Sequence, residues 1–510
     1  MSGLQAPSVV LQAYPDHVMP PNSSAPALWG LRWLLQRLPE GAFDALHLLP
    51  PYLSDADFGF AVVDYGKVDP MFGSWEDVRA LAQETRLVLD FVVNHVSARH
   101  PWFLGCLSGD RTYQNRFITV DPEWDLAGIA RPRSGEPVST YRDAAGHSVQ
   151  YWTTYGRDQV DLNYKNPGTL RAVRRQLADL LATSGAAGIR LDSLAFAWKE
   201  PPGLSIHADD TYRVAADLVQ AVHESRAFAI AEVDDDLPIG KDYRERSMAD
   251  AVYRYALPPL IAQALVSGTS RHLVAWLHRL PASRMATGIN ITATHDGLYL
   301  RPHQPALPAD ALDELVRHAQ DRGLPVRYDH GAPYEINGTF ADLLASADRN
   351  DTEVARHVAA QAIALLLPGI AQLYLPSLVG CFYDPALTAN HGDARAGNRR
   401  KRLPLAESFQ KDDSWEARVF SSMSSLLRVR HEHRKAFAPS SPFELQPSSD
   451  QVLAFSRSVN PVITVLVNLT DRLQRDHRSK RRRDLLSNGP ASERLGPYQV
   501  QLLVDQEAGS

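Results

Sequence analysis

Eight short apolar runs punctuate the chain: Val9–Tyr14, Ala45–Pro50, Leu87–Val93, Gly188–Asp192, Phe228–Val233, Ala251–Leu257, Gly288–Thr294 and Ala371–Leu375. Such runs, apolar at successive positions, suit strands buried on both faces, as in a parallel sheet. Between them lie amphipathic stretches such as Trp75–Gln83, Thr169–Thr183, Asp210–His223 and Arg271–Leu280, spaced like helices that cover such a sheet. Eight strand–helix units in series predict an α/β fold, a (β/α)8 TIM barrel. The uncharged segment from Val358 to Gly380 is long enough to cross a membrane, but Pro368-Gly369 interrupts it. It reads as a core helix followed by a buried strand.

Two intervals exceed plain connections. The Pro-, Gly- and aromatic-rich stretch from about Val96 to Lys165, and a second from Gly297 to about Asn350, predict loop-rich subdomains inserted at the rim that carries function. After about Ala436 the alternation stops, and Val452–Ser456, Val462–Asn468 and Tyr498–Val504 predict an antiparallel C-terminal β domain. The expected organisation is barrel 1–95, insert 96–165, barrel 166–296, second insert 297–350, barrel 351–436 and β domain 437–510.

Composition narrows the class of partner. The 510 residues carry 53 Lys and Arg against 59 Asp and Glu, a net charge of −6, so a nucleic-acid partner is not expected. Only Cys106 and Cys381 are present, which excludes a disulfide framework and fits a reducing cytoplasm. The N-terminal residues lack the basic-then-apolar pattern of a signal peptide. Cytoplasmic location, no membrane association and a monomer or homodimer are the resulting expectations. The basic run Arg478–Arg483 reads as a solvated loop between strands or as a polyanion patch. His431 and His433, two residues apart, point to different faces of a helix and are expected to be a solvated pair rather than metal ligands.

Ionisable residues concentrate at the carboxyl ends of the predicted strands: Asp90 with Asn94-His95, Arg190 with Asp192, Glu232, and His295-Asp296. In a barrel these ends share one face, so the residues should converge on a cleft. Alone, any one of them could equally be a cap or an ion-pair partner. Together they offer two facing carboxyls, which cleavage of a glycosidic bond requires. Asp192 and Glu232 are the candidate pair. Arg190, two residues from Asp192 on the same strand face, should hold Asp192 ionised. The neighbouring Asp234, Asp235 and Asp236 would raise the Glu232 pKa, unless they form a solvated loop.

The stretches Asp90-Phe-Val-Val-Asn94-His95, Gly188-Ile-Arg190-Leu-Asp192, Ala231-Glu232-Val and Thr294-His295-Asp296 resemble the four motifs of glycoside hydrolase family 13, in the same order. Further text, including His47-Leu-Leu-Pro50, Asp57-Phe-Gly-Phe60 and Gln159-Val-Asp-Leu-Asn-Tyr164, is similar to the sucrose phosphorylase group. Trp198-Lys-Glu200 with Ser205-Ile-His207 is closer to its glucosylglycerate branch. The resemblance implies Asp192 as nucleophile, Glu232 as general acid/base and Asp296 as transition-state stabiliser. It further implies that Asp57, His95, Arg190 and His295 line a glucose subsite, with no metal and no cofactor. The implied activity is a retaining phosphorylase that passes glucose from a small α-glucoside to inorganic phosphate as co-substrate, giving α-glucose 1-phosphate. A hydrolase or transglucosylase with the same intermediate, or a non-catalytic sugar-binding relative, are the alternatives. Two departures point to the acceptor side. Phe58 stands where the group usually has Arg, and Cys381–Arg402 does not follow the group's pattern. Within it, Arg399 and Arg402 are candidate phosphate or acceptor ligands, with Arg400 beside them, and sucrose is expected to be a poor substrate.

Overall fold

The computed structural model describes residues 6–505 except 23, 122, 127, 128, 130–135, 201–204, 236–242, 247, 281–285, 301–305, 330, 347 and 412. Eight parallel strands close into a barrel: β1 (Val9–Ala13), β2 (Ala45–Leu48), β3 (Arg86–Val92), β4 (Gly188–Asp192), β5 (Phe228–Asp234), β6 (Ala251–Tyr253), β7 (Gly288–Asn290) and β8 (Ile370–Tyr374). All eight sit within the predicted runs to within a few residues. The largest differences are at β6 and β7, which each end four residues short of the expected run; β7 stops at Asn290, so His295 and Asp296 lie on the turn that follows.

The register shows why the runs lack alternation. Val9, Leu11 and Ala13 pack outward against the helical layer, whereas Val10, Ala45, Val88, Phe228, Ile230, Ile289 and Ile370 fill the barrel interior. Further along four of these inward rows the side chains turn polar. Gln12 follows Val10, His47 follows Ala45, Asp90 follows Val88, and Glu232 follows Ile230. The apolar layer closes the bottom of the barrel and the polar layer forms the floor of a cleft at its carboxyl end.

Helices cover the outside. Trp75–Glu84 begins on a Ser74–Asp77 capping box. Pro167–Ser184 starts with Asn166 capping and Pro167 in the first turn, and ends on Gly185 in the left-handed region, as cap chemistry favours. The uncharged segment divides as expected into a helix, Asp351–Leu366, and strand β8. Among the described residues no helix is long and apolar enough to cross a membrane.

After β2 a hairpin, Tyr52–Ala56 with Ala61–Val68, projects from the carboxyl end, and Asp57 and Phe58 occupy its tip at φ 52° each. Within 96–165 a hairpin pairs Val138–Arg142 with Ser148–Trp152, and His95–Ser97 pairs with Gln159–Asp161. Within 297–350, Leu298–Tyr299, Val326–Asp329 and Ala332–Ile336 form a three-stranded antiparallel sheet beside helix Ala309–Asp321. The C-terminal residues form a six-stranded antiparallel sheet around Val452–Arg457, Ile463–Asn468 and Val500–Asp505.

Two surface expectations change. The basic run is not simply a loop: Arg478 closes on Asp476, and Arg482–Asp484 is a strand paired with Val500–Asp505. His431 is only partly open to solvent, because its ring lies against Gly41. A Cβ on Gly41, which sits at φ 67°, would stand 2.0 Å from that ring. Gly41→Ala combines a left-handed backbone with a collision, and is expected to cost roughly 2 kcal/mol of stability, read as a lowered Tm. An unchanged Tm would show that the ring swings away freely.

Candidate active site

The floor of the cleft is a chain of polar contacts running from strand to strand. Gln12 Nε2 lies 3.3 Å from His47 Nδ1, and His47 Nε2 lies 2.9 Å from Asp90 Oδ2, with His47 and Asp90 both fully buried. Arg190 then ties three carboxylates together. Its Nη1 donates to Asp90 Oδ1 and, at 2.7 Å, to Asp192 Oδ1, while its Nη2 donates to Glu232 Oε1 at 2.5 Å. Glu232 reaches this point because β5 slips register between Ala231 and Asp234 against β6. A bulge of this kind re-aims a side chain at the rim of a sheet.

Charge within this cluster is unevenly shared. Burial raises the Asp90 carboxyl, but Arg190 and His47 outweigh it and hold its pKa at about 2. Burial and then repulsion from Glu232 push Asp192 well above the ordinary carboxylate value, against the pull of Arg190. Glu232 is also raised, by burial first, opposed by Arg190 and the Ser193 N–H and aided by Asp296 and Asp90. The expectation that Arg190 holds Asp192 ionised is therefore corrected: one guanidinium is divided among three acids. Burial and mutual repulsion thus disfavour having Asp192 and Glu232 ionised together. The expected influence of the following aspartates is corrected too. Asp235 is buried and paired with Arg244 and Arg254, which places it in a structural ion cluster, and Asp236 lies outside the described residues.

A second cluster faces the first. Arg399 is 1% exposed and donates to Asp57 Oδ1 at 3.2 Å, to Asp296 Oδ1 at 2.8 Å and to the His295 carbonyl at 3.1 Å. Its guanidinium lies 4.8 Å from the Phe58 ring centroid, a cation–π contact. Arg395 reaches Asp296 Oδ1 at 3.2 Å and is anchored by buried Glu335 from the 297–350 insert. Burial raises Asp296, but Arg395, His295 and Arg399 together bring it well below the usual carboxylate range. His295 is driven down to about 3 by burial, so its imidazole is neutral. Its ring stacks on Phe60 at 5.1 Å. Gln159 Nε2 lies 3.0 Å from both Asp57 Oδ2 and His95 Nε2.

Eight of the nine predicted site residues are thus brought together: Asp57, His95, Arg190, Asp192, Glu232, His295, Asp296 and Arg399. Arg402 is the exception. It is exposed at φ 53° outside the cluster, its backbone N–H bonded to the Asp16 carbonyl, and Arg400 lies at Cys381. The second arginine at Asp296 is Arg395, which sequence reasoning passed over. Glu335 and Tyr155 were missed as well, because only the fold brings them to the cleft. Among the described residues no group of three His, Cys, Asp or Glu side chains could hold a metal ion.

The chain has relatives among known proteins. Residues 14–256 match the α-amylase catalytic domain family. The chain is 35% identical over 492 residues to a glucosylglycerate phosphorylase of Allomeiothermus silvanus, covering 93% of this chain and 87% of that protein. It belongs to glycoside hydrolase family 13. Within that family it stands in the glycoside phosphorylase group. Its similarity to the glucosylglycerate phosphorylase of Escherichia coli is 33% identity, covering 85% of this chain and 80% of that one. For a sucrose phosphorylase of Agrobacterium vitis it is 31%, covering 86% and 91%. Among solved structures, the sucrose 6F-phosphate phosphorylase from Thermoanaerobacter thermosaccharolyticum shares the fold with a TM-score of 0.79 at 24% identity, covering 91% of this chain and 93% of that chain.

Proposed function

We propose that this enzyme is a retaining α-glucoside phosphorylase working by double displacement. The observation that carries the reading is the single Arg190 guanidinium bridging Asp192 at 2.7 Å and Glu232 at 2.5 Å. Carboxyls so tethered suit direct attack on the anomeric carbon, whereas an inverting enzyme leaves a wider gap for water. Asp192 attacks C1 while Glu232 protonates the departing oxygen, and phosphate then takes the glucosyl group as Glu232 accepts its proton. Asp296, kept anionic by two arginines, grips sugar hydroxyls and stabilises positive charge at C1. Asp57, His95 and the neutral His295 complete the glucose subsite.

For the acceptor we favour a small anionic polyol over sucrose. Three relatives at 35%, 33% and 32% identity are named glucosylglycerate phosphorylases, and Phe58 presents an apolar ring 5.7 Å from Lys401, which is itself paired with Asp16. Arg395 is our candidate to steady phosphate beside Asp296. Arg395→Ala is expected to raise the KM for phosphate about tenfold or more, and Arg402→Ala to leave it within about twofold. The reverse pattern in initial-rate kinetics would return the role to Arg402.

The experiment that tests the function runs the enzyme in synthesis, with α-glucose 1-phosphate as donor and glycerate, glycerol, fructose and water as acceptors, following phosphate release. Release that depends on glycerate supports the reading. Release at the same rate with water alone would make the protein a hydrolase. Sucrose with phosphate should give a specificity constant well below roughly 10⁴ M⁻¹s⁻¹, and a value above that would sink the acceptor assignment.

A further inference from the structure

Ser193, directly after the nucleophile, touches both catalytic carboxyls. Its backbone N–H donates to Glu232 Oε2 at 2.6 Å, and its hydroxyl donates to Asp192 Oδ2 at 2.8 Å. It holds this position at φ 55°, a left-handed conformation that is costly for a residue with a Cβ. The hydroxyl oxygen also lies 2.7 Å from the Tyr155 hydroxyl. Serine has a single hydroxyl proton, so with that proton on Asp192 the contact to Tyr155 is filled by the phenol's own proton. Tyr155 keeps it, because burial and the nearby Glu232 and Asp192 carboxylates raise its pKa well above 10.

The two oxygens of Asp192 are consequently unequal. Arg190 engages Oδ1, and Oδ2 rests on a neutral hydroxyl. We propose that Ser193 is a positioning residue whose hydroxyl holds Oδ2 and sets the balance between the two half-reactions. This rests on the double-displacement reading. In the first half the Asp192–C1 bond forms, the bond from C1 to the aglycone oxygen breaks, and the Glu232 proton moves to that oxygen. In the second a phosphate oxygen bonds to C1, the electron pair of the Asp192–C1 bond returns to Asp192, and the phosphate proton passes to Glu232. A hydroxyl donor binds a carboxylate more strongly than an ester oxygen. It therefore favours departure of Asp192 from the glucosyl-enzyme and speeds the second half.

Removing the hydroxyl should slow deglucosylation about tenfold, the worth of a hydrogen bond to a charged group, and leave glucosylation little changed. Ser193→Ala deletes the hydroxyl and keeps the N–H to Glu232. Ser193→Gly does the same and also relieves the backbone, so one of the two folds even if strain matters. Wild type and both variants are mixed with α-glucose 1-phosphate, quenched in acid at steady state and weighed intact. The expected result is a severalfold larger glucosylated fraction in both variants, with kcat and KM falling together. The acid limb of the kcat/KM profile should also move to higher pH. The groups facing Asp192, namely Arg190, Asp90, Glu232, Tyr65 and Tyr155, are unchanged in the variants and cannot produce that shift.

An unchanged glucosylated fraction and pH profile in both variants would overturn the role. So would wild-type behaviour in Ser193→Gly alone, since the serine would then matter only through its backbone. Absence of glucosyl-enzyme in all three proteins, under turnover, would overturn the double displacement itself and this role with it.

Discussion

Asp192→Asn is expected to lower turnover by roughly 10⁴-fold or more while glucose still binds. The amide cannot supply the electron pair that forms the bond to C1, and no other carboxylate occupies its place. Asp90, two contacts away through Arg190, is locked by His47 beneath the floor. The variant should fold at least as well as wild type, and the sign follows from the site. A carboxyl whose pKa is raised by folding costs stability once pH exceeds its unfolded value, because the folded state then retains a proton the unfolded chain has released. Asp192 is raised by burial and by Glu232, so a neutral amide removes that cost. A Tm equal to or above that of wild type at pH 7, with turnover lost and glucose binding retained by calorimetry, is the expected set. Turnover within about tenfold of wild type would mean that Asp192 is not the nucleophile.

The parts legible in the sequence were those dictated by strand periodicity. Because side chains alternate along a strand, Val88 below Asp90 and Ile230 below Glu232 already implied that the acids rise from the same inward rows as the apolar floor. Arg190 and Asp192 shared a face for the same reason. Arg395 and Arg402 could not be told apart by such arguments. Both lie in an irregular segment after β8, where no period fixes direction, and a turn with Arg402 at φ 53° sends one outward while Glu335 draws the other in. Glu335 stands 60 residues away from Arg395 in sequence, so only the folded insert reveals the pair. The electrostatics were legible in sign but not in balance. Arg190 was correctly read as a partner of Asp192, but its division among Asp90, Asp192 and Glu232 depends on the bulge in β5 that brings Glu232 to Nη2.

That division decides how Glu232→Gln should behave. Its carboxyl is raised by burial and repelled by Asp296 and Asp90, yet restrained by Arg190 and the Ser193 N–H. This suits a group that must give up a proton and take one back within each cycle. Glutamine keeps the shape and can do neither. With donors whose leaving group needs protonation, turnover should fall by roughly 10²–10⁴-fold, the usual worth of general acid catalysis. With α-glucosyl fluoride, which leaves without a proton, the first half-reaction should recover most of that loss, and the glucosyl-enzyme should accumulate because phosphate then lacks its base. The pH profile should change in one direction only. In wild type the alkaline limb of kcat/KM reflects loss of the acid's proton, so with the fluoride donor Glu232→Gln should lose that limb and keep the acid limb belonging to Asp192. Equal losses on the fluoride and the natural donor, with both limbs retained, would show that the proton comes from elsewhere. The next candidate would then be Tyr155, which carries a tightly held proton beside the same pair.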